Sequence, residues 1–246
     1  MDIARAVHEG AAFLMAHQVR MLPVDPIALA AGCGWRVKPY TKMADKLQLS
    51  LGEVIETYGT QDAFTVYRQR PVIFYNDTVR SRERMTFSLC HEIGHIVLGH
   101  FSQHDAETLT DEARKTLDRE AHAFACSMMA PAPIVKAAVS SMHGMPRKLF
   151  GMSQSAWEVR LATLERDLAL LGDSNCAMLT EHFAPWLQSL RCAKCGVLHE
   201  GRICPACGCM RPPPPARPAQ ARWEACPLPR KGQPMLEMEL DNPMAE

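Results

Sequence analysis

Apolar residues recur at helical spacing in two long segments in the middle of the chain. The first runs from Thr78 to Gly99, and its apolar positions are Met85, Phe87, Leu89, Ile93, Ile96, Val97 and Leu98. The second runs from Thr110 to Ala130, with acidic residues in its first turn and prolines behind it. Steps of three and four residues place apolar side chains on one helical face, so both segments are predicted helices.

Shorter elements surround these two segments. Residues 1 to 20 also carry apolar residues at helical spacing, and a second short helix is predicted from residue 27. Residues 60 to 67 and 71 to 75 are rich in β-branched and aromatic side chains, as strands are. The pattern predicts an α+β fold that is mainly helical with a small β-sheet.

Composition narrows the class of protein. With 246 residues, 47% of them hydrophobic, the chain can bury a proper core in one or two domains. Its net charge of zero provides no general attraction to DNA, so nucleic-acid binding would need a local basic patch. No apolar run is long enough for a membrane span, and the first ten residues do not resemble a signal peptide. We therefore expect a cytoplasmic protein with no membrane partner.

The first long segment contains the most specific chemical pattern, His91-Glu92-Ile93-Gly94-His95. Residues four apart lie side by side on a helix, about 6 Å apart, so His91 and His95 can bind one metal ion. A zinc ion with an open position lowers the pKa of bound water to roughly 7, and Glu92 could take the proton. The pattern predicts a zinc-dependent peptide hydrolase with Glu92 as the catalytic residue.

A third metal ligand is expected from the second long helix, where Asp118 and Glu120 compete. Asp118 borders the helix's apolar stripe and is the predicted ligand, whereas Glu120 lies farther away and is interpreted as a solvated acid. His100 does not fit the spacing of a third histidine in H-E-x-x-H-x-x-G-x-x-H. It is interpreted as a surface residue or as one that contacts a ligand from behind.

A second metal pattern lies near the end of the chain, where two C-x-x-C pairs supply Cys192, Cys195, Cys204 and Cys207. Four thiolates close a tetrahedron around Zn²⁺ and leave no position for water. The pattern predicts a short zinc ribbon with a structural ion, because so short a segment can bury almost no core. Cys209 is adjacent and is interpreted as a spare thiol.

The region between these motifs carries leucines at steps of three and four after Trp157, and a predicted capping box at Ser155 and Glu158. It resembles a helix-turn-helix unit, but a helical subdomain packed on the preceding domain is the simpler interpretation. Arg160 and Arg166 alone make a poor surface for phosphate contacts, so DNA binding is left open. After Met210 the chain becomes rich in proline, which predicts a disordered tail.

Residues 20 to 170 resemble the ImmA/IrrE family of metallo-endopeptidases. The shared segments are Leu22 to Pro26, Ile73 to Asn76, Arg84 to His95, Ala121 to Ala125 and Met128 to Pro131. Two positions depart from the family pattern, because its glutamate falls on Asp118 and its asparagine on His122. Aspartate also binds zinc but is one methylene shorter, so the second helix must approach the metal more closely.

The resemblance implies a zinc endopeptidase that cleaves or otherwise inactivates a helix-turn-helix repressor, in a prophage, a mobile element or a stress response. The alternative is a non-proteolytic, zinc-containing regulator that acts by binding protein or DNA. In the first interpretation the chain uses one catalytic and one structural zinc ion. Tyr75, His100 and His122 are all candidates for stabilising the oxyanion.

The predicted organisation has four parts. They are a zincin-like metallopeptidase domain at 1–135, a helical subdomain resembling helix-turn-helix units at 136–190, a zinc ribbon at 191–210 and a proline-rich tail at 211–246. In metal peptidases of this design an edge strand beside the metal helix can bind the substrate backbone, and Val72 to Tyr75 is the candidate strand. An ordinary core strand is the other interpretation of that segment.

Overall fold

The computed structural model describes residues 1–67, 70–100, 109–142 and 146–210, so the predicted tail at 211–246 lies outside the described residues. In chain order the elements are α1 (Ile3–Ala16), α2 (Pro26–Gly32), β1 (Arg36–Pro39), α3 (Tyr40–Leu47), α4 (Leu51–Tyr58), β2 (Ala63–Val66), β3 (Val72–Tyr75), α5 (Arg82–Leu98), α6 (Asp111–Met129), α7 (Ala132–Ser141), α8 (Pro146–Leu149), α9 (Gln154–Ala162) and α10 (Leu164–Leu190). The predicted α+β class, mainly helical with a small sheet, is confirmed.

Both long helices begin at a side-chain cap, and α5 also ends at a glycine cap. Ser81 caps α5 by accepting the Arg84 N–H at 3.2 Å, and Thr110 caps α6 by accepting the Ala113 N–H at 3.2 Å. Helix α5 ends at Gly99, whose φ of 71° is left-handed and turns the chain out of the helix. The sequence therefore contains the start signals for both helices and the stop signal for α5.

Three helices, α1, α5 and α6, pack together at the centre of the main core. Gly94 of α5 faces α6, and a β-carbon there would lie 3.0 Å from the Phe124 ring and 3.1 Å from the Ala121 carbonyl oxygen. Gly10 of α1 meets α6 as tightly, since its β-carbon would lie 2.9 Å from the Phe124 carbonyl oxygen. Larger residues at either glycine would force the helices apart.

The sheet has the strand order β1-β3-β2. Strand β3 pairs in parallel with β1, Arg36 opposite Val72, and antiparallel with β2, Ala63 opposite Tyr75. Of the two interpretations of Val72 to Tyr75, the ordinary core strand is correct and the edge strand is not, because β3 is central. Strand β2 lies at the edge instead, and it contacts α5.

Helix α9 begins two residues earlier than the sequence pattern predicts. Ser153 accepts the Ala156 N–H at 3.3 Å, and Glu158 accepts a 2.8 Å hydrogen bond from the side chain of Gln154. The predicted capping box at Ser155 and Glu158 is therefore wrong, because Ser153 is the cap and Glu158 is already engaged within the helix. Arg160 is fully buried and pairs with Asp167 at the start of α10.

Helix α10 packs on α7 and α1, and its buried residues belong to the same hydrophobic core as those of α5 and α6. Helix α10 is interrupted by a kink at Gly172, where φ is 71° and ψ is 166°. The boundary proposed at residue 136 stays a prediction. Within the described ranges no single helix is long and apolar enough to cross a membrane, and one consecutive pair, α6 with α7, meets that test only together, with a 49° bend between them.

We expect Gly94→Ala to lower the free energy of unfolding by about 1–3 kcal/mol, because the added methyl group meets backbone and ring atoms of α6. Urea unfolding of the full chain followed by circular dichroism measures this change.

Gly52→Ala is the matched control, since Gly52 is also helical and a β-carbon there meets only the Ser50 hydroxyl at 3.8 Å. That substitution should be neutral or stabilising by up to about 1 kcal/mol. Equal effects at the two glycines would contradict the close approach at Gly94.

Candidate metal centre

Helix α5 carries the two histidines of the motif on one face, and α6 brings a carboxylate to them. The Nε2 atoms of His91 and His95 lie 3.0 Å apart. Asp118 Oδ1 lies 3.4 Å from His95 Nε2 and 4.0 Å from His91 Nε2. The structure thus brings together the three residues that the sequence suggested as ligands.

The spacing of these atoms fits a small tetrahedral ion. Zinc bonds of about 2.0–2.1 Å to nitrogen and oxygen separate neighbouring ligand atoms by roughly 3.3 Å. The three atoms are within 4.8 Å of one another, and the side chain of Asp118 is 63% exposed on the open side. Two imidazoles and one carboxylate are also the donor types that catalytic zinc sites use.

The protonation of these groups suits metal binding as well. Burial, followed by the nearby charge of His95, lowers the pKa of His91 to about 3, so this imidazole is neutral at pH 7. The hydrogen bond to His95 lowers the pKa of Asp118, which keeps its carboxylate ionised. Neither group has to lose a proton before an ion enters.

Glu92 lies beside the two histidines and is 8% exposed. Its Oε2 accepts a 2.7 Å hydrogen bond from the Thr65 hydroxyl, which β2 supplies from the sheet edge. Burial raises the pKa of Glu92 above its usual value. Thr65 was not among the predicted site residues, although its place in a strand-forming segment was visible in the sequence.

His100 and Glu120 lie behind the histidines, where one of the two interpretations of His100 holds and the interpretation of Glu120 does not. His100 is only 2% exposed, and its Nδ1 lies 2.9 Å from His95 Nδ1, so it contacts a candidate ligand from behind and is not a surface residue. The interpretation of Glu120 as a solvated acid is wrong, because it is 9% exposed and accepts the Asp2 backbone N–H. The side of α6 that carries Glu120 is covered by the start of α1.

The three candidate ligand residues and Glu92 open into a cleft of about 1030 Å³. One wall consists of β2 residues together with Tyr58, whose ring stacks on Phe64 at 4.3 Å. Among the described residues that line the cleft is His122, one of the three candidates for stabilising the oxyanion. Tyr75 and His100 are not part of this lining as the structure describes it.

Comparison with known proteins agrees with this geometry. Residues 54–162 match the model of the IrrE N-terminal-like domain, a metallopeptidase family. This segment is therefore similar to the IrrE N-terminal-like domain. The match runs from within α4 to the end of α9 and therefore includes His91, His95 and Asp118, while α1 and the cysteine cluster lie outside it. No curated protein and no solved structure matches the chain.

The four ribbon cysteines converge in a cluster outside the matched segment. The Sγ atoms of Cys192 and Cys207 are 3.5 Å apart, as are those of Cys195 and Cys204, and all four lie within 4.8 Å of one another. Zinc–sulfur bonds of about 2.3 Å would separate the sulfurs by roughly 3.8 Å, so the cluster fits a structural zinc ion. Backbone N–H groups of Cys195 and Lys194 lower the pKa of Cys192 to about 6, which favours the thiolate.

The ribbon is joined to the rest of the core through Leu198, which is 1% exposed and belongs to the main hydrophobic cluster. The Leu198 N–H donates to the Ser141 carbonyl at the end of α7, and the His199 N–H donates to the Leu190 carbonyl at the end of α10. An ion in the cysteine cluster would therefore stabilise the ends of two helices that pack in the core of this chain.

We expect the full chain to bind two zinc ions and Asp118→Ala to bind one, because the alanine removes the only ligand that α6 contributes to the first cluster. Native mass spectrometry counts the ions. Asp111→Ala removes an exposed acid from the same helix and should leave two, whereas two ions retained by Asp118→Ala would exclude Asp118 as a ligand.

We expect Cys204→Ser to lower the thermal unfolding midpoint of the whole chain, because losing the ribbon zinc loosens the contacts of Leu198 with the core. Differential scanning calorimetry measures the midpoint. Cys209→Ser is the control, since Cys209 lies outside the four-sulfur cluster; an equal fall in both variants would rule out the metal as the cause.

Proposed function

We propose that this chain is a zinc-dependent endopeptidase that cleaves, and thereby inactivates, a helix-turn-helix transcriptional repressor. The observation that carries the proposal is the convergence of His91, His95 and Asp118 beside the buried carboxylate of Glu92, at the base of an open cleft. The IrrE-like match over the same residues supports a metallopeptidase and a protein substrate.

Each side chain has a separate role in this mechanism. His91, His95 and Asp118 would hold Zn²⁺, and the ion would supply Lewis acidity that polarises the scissile carbonyl and lowers the pKa of water. Glu92 takes a proton from the attacking water and returns it to the leaving amine. The Thr65 hydroxyl holds one carboxylate oxygen of Glu92 at 2.7 Å and leaves the other for proton transfer.

The raised pKa of Glu92 fits this exchange of protons. A general acid–base works best when its pKa lies near the working pH, and burial moves this carboxyl in that direction. An exposed glutamate would hold a proton too weakly to deliver it to the amine. The buried position beside the histidines therefore suits both halves of the reaction.

Strand β2 is the element best placed to bind the substrate backbone. It is the edge strand next to α5, and Ala63, Phe64 and Thr65 all line the cleft. An extended peptide can pair with the free edge of such a strand, so that backbone hydrogen bonds align the scissile bond with the metal. The stacked rings of Tyr58 and Phe64 then offer an apolar surface to substrate side chains.

The choice of a repressor as substrate comes from the resemblance to ImmA/IrrE peptidases. A repressor acts on DNA inside the cell, so this proposal implies a cytoplasmic site of action and a role in transcription regulation. Cutting a helix-turn-helix repressor between its DNA-binding and dimerising parts would make it dissociate from its operator DNA. The non-proteolytic alternative would release the operator by binding alone.

The deciding experiment uses Glu92→Gln, with denatured casein and any helix-turn-helix repressor encoded in the neighbouring genes as substrates. We expect the variant to keep two zinc ions but to cleave the repressor at least about 100-fold more slowly, because it loses the general base and keeps the ligands. Gel electrophoresis with mass spectrometry of the products follows the cleavage.

Glu83→Gln is the control, because Glu83 is an exposed acid on the same helix. It should cleave at the wild-type rate. A zinc-loaded wild-type chain that leaves both the repressor and denatured casein intact, or a Glu92→Gln chain as active as wild type, would contradict the peptidase proposal. In the first case, loss of operator binding would favour the alternative.

A further inference from the structure

A line of buried side chains extends from the metal centre towards the start of α1. His95 Nδ1 lies 2.9 Å from His100 Nδ1, and Glu120 Oε2 lies 3.2 Å from His100 Nε2. The other carboxylate oxygen of Glu120 accepts the backbone N–H of Asp2. All three residues are at most 9% exposed.

The protons in this line can be assigned from its geometry. His95 directs Nε2 at His91 and Asp118, so a metal ion bound there leaves the proton of His95 on Nδ1. That Nδ1–H can donate to His100 Nδ1, which must then carry its own proton on Nε2. The His100 Nε2–H faces the Glu120 carboxylate at ion-pair distance, but the two groups are not aligned as a hydrogen bond.

We propose that His100 and Glu120 are positioning residues that hold His95 with its proton on Nδ1 and with Nε2 directed at the metal. The inference rests on the proposed metal centre. Ligand histidines in zinc sites usually donate their second N–H to a carboxylate or carbonyl, and such partners raise metal affinity. Here a second imidazole stands between the ligand and the carboxylate.

Helix α6 contributes to both sides of His95. Asp118 reaches the open side at His95 Nε2, and Glu120, two residues later, supports His100 on the buried side. Asp2, the cap of α1, holds Glu120 through its N–H and so ties the line to a helix outside the matched domain. A shift of α6 would therefore move a ligand and its support together.

The experiment measures zinc affinity in His100→Phe, which fills the same buried space without an acceptor for His95. We expect the site ion to bind roughly 10- to 100-fold more weakly. Competition with a chromogenic chelator gives the affinity, and the cysteine cluster, whose ion should be unchanged, is the internal reference. His17→Phe is the matched control, because His17 is also buried, at 5% exposure, but lies beside Cys33 away from the metal centre.

Two further variants separate positioning from simple packing. His100→Asn keeps an oxygen where His100 Nδ1 stood, so it should restore affinity to within about threefold of wild type, although it leaves more empty space than phenylalanine. Glu120→Gln keeps the shape of the side chain but removes its charge. Its zinc affinity should lie between those of wild type and His100→Phe. In ¹⁵N imidazole spectra of the zinc-loaded protein, the His95 Nδ1–H signal should be protected from solvent exchange in wild type and His100→Asn only.

The outcomes are distinct from those that test the proposed function. Wild-type zinc affinity in both His100→Phe and Glu120→Gln would overturn the positioning roles while leaving the metal centre intact. Weaker binding in His100→Asn than in His100→Phe would show that packing is the cause and would also overturn them. A wild-type chain that binds only the ribbon ion would instead refute the metal centre itself.

Discussion

The close approach of α5 and α6 at Gly94 is the contact on which the metal centre depends. Asp118 has a short side chain, and its carboxylate reaches within 3.4 Å of His95 because no β-carbon separates the two helices there. Gly10 brings α1 equally close to α6 from another side. Interiors this tightly packed transmit small displacements instead of absorbing them. The distance between two helix backbones therefore controls whether one aspartate can be a ligand.

The charged and polar groups around α5 differ in how far they are buried from solvent. Asp118 is exposed on the open side, Glu92 is buried against Thr65, and His100 and Glu120 lie behind His95. Burial has opposite effects on these groups, since it keeps His91 neutral and ready to bind metal but makes Glu92 hold its proton more firmly. One helix can thus present a ligand and a proton carrier at adjacent positions.

Local patterns in the sequence predicted much of this arrangement. Periodicity and capping residues located α5 and α6, the spacing of His91 and His95 implied a shared ion, and the cysteine spacing implied the second cluster. Apart from the misplaced cap of α9, the errors concern partners that are distant in sequence. The burial of Glu120 depends on Asp2, 118 positions away, and the edge position of β2 depends on which strand pairs with β1. Helical angles measured along α6 alone do not reveal which neighbour covers each side.

The anchoring of Leu198 affects how the cysteine cluster can take part in recognition. Backbone hydrogen bonds join this cluster to the last residues of α7 and α10. Its position relative to these two helices is therefore fixed. A molecule bound to the cluster would meet the cleft at one angle and one distance. In the proposed peptidase, selectivity would then depend on the length of the bound molecule as well as on the residues flanking its scissile bond.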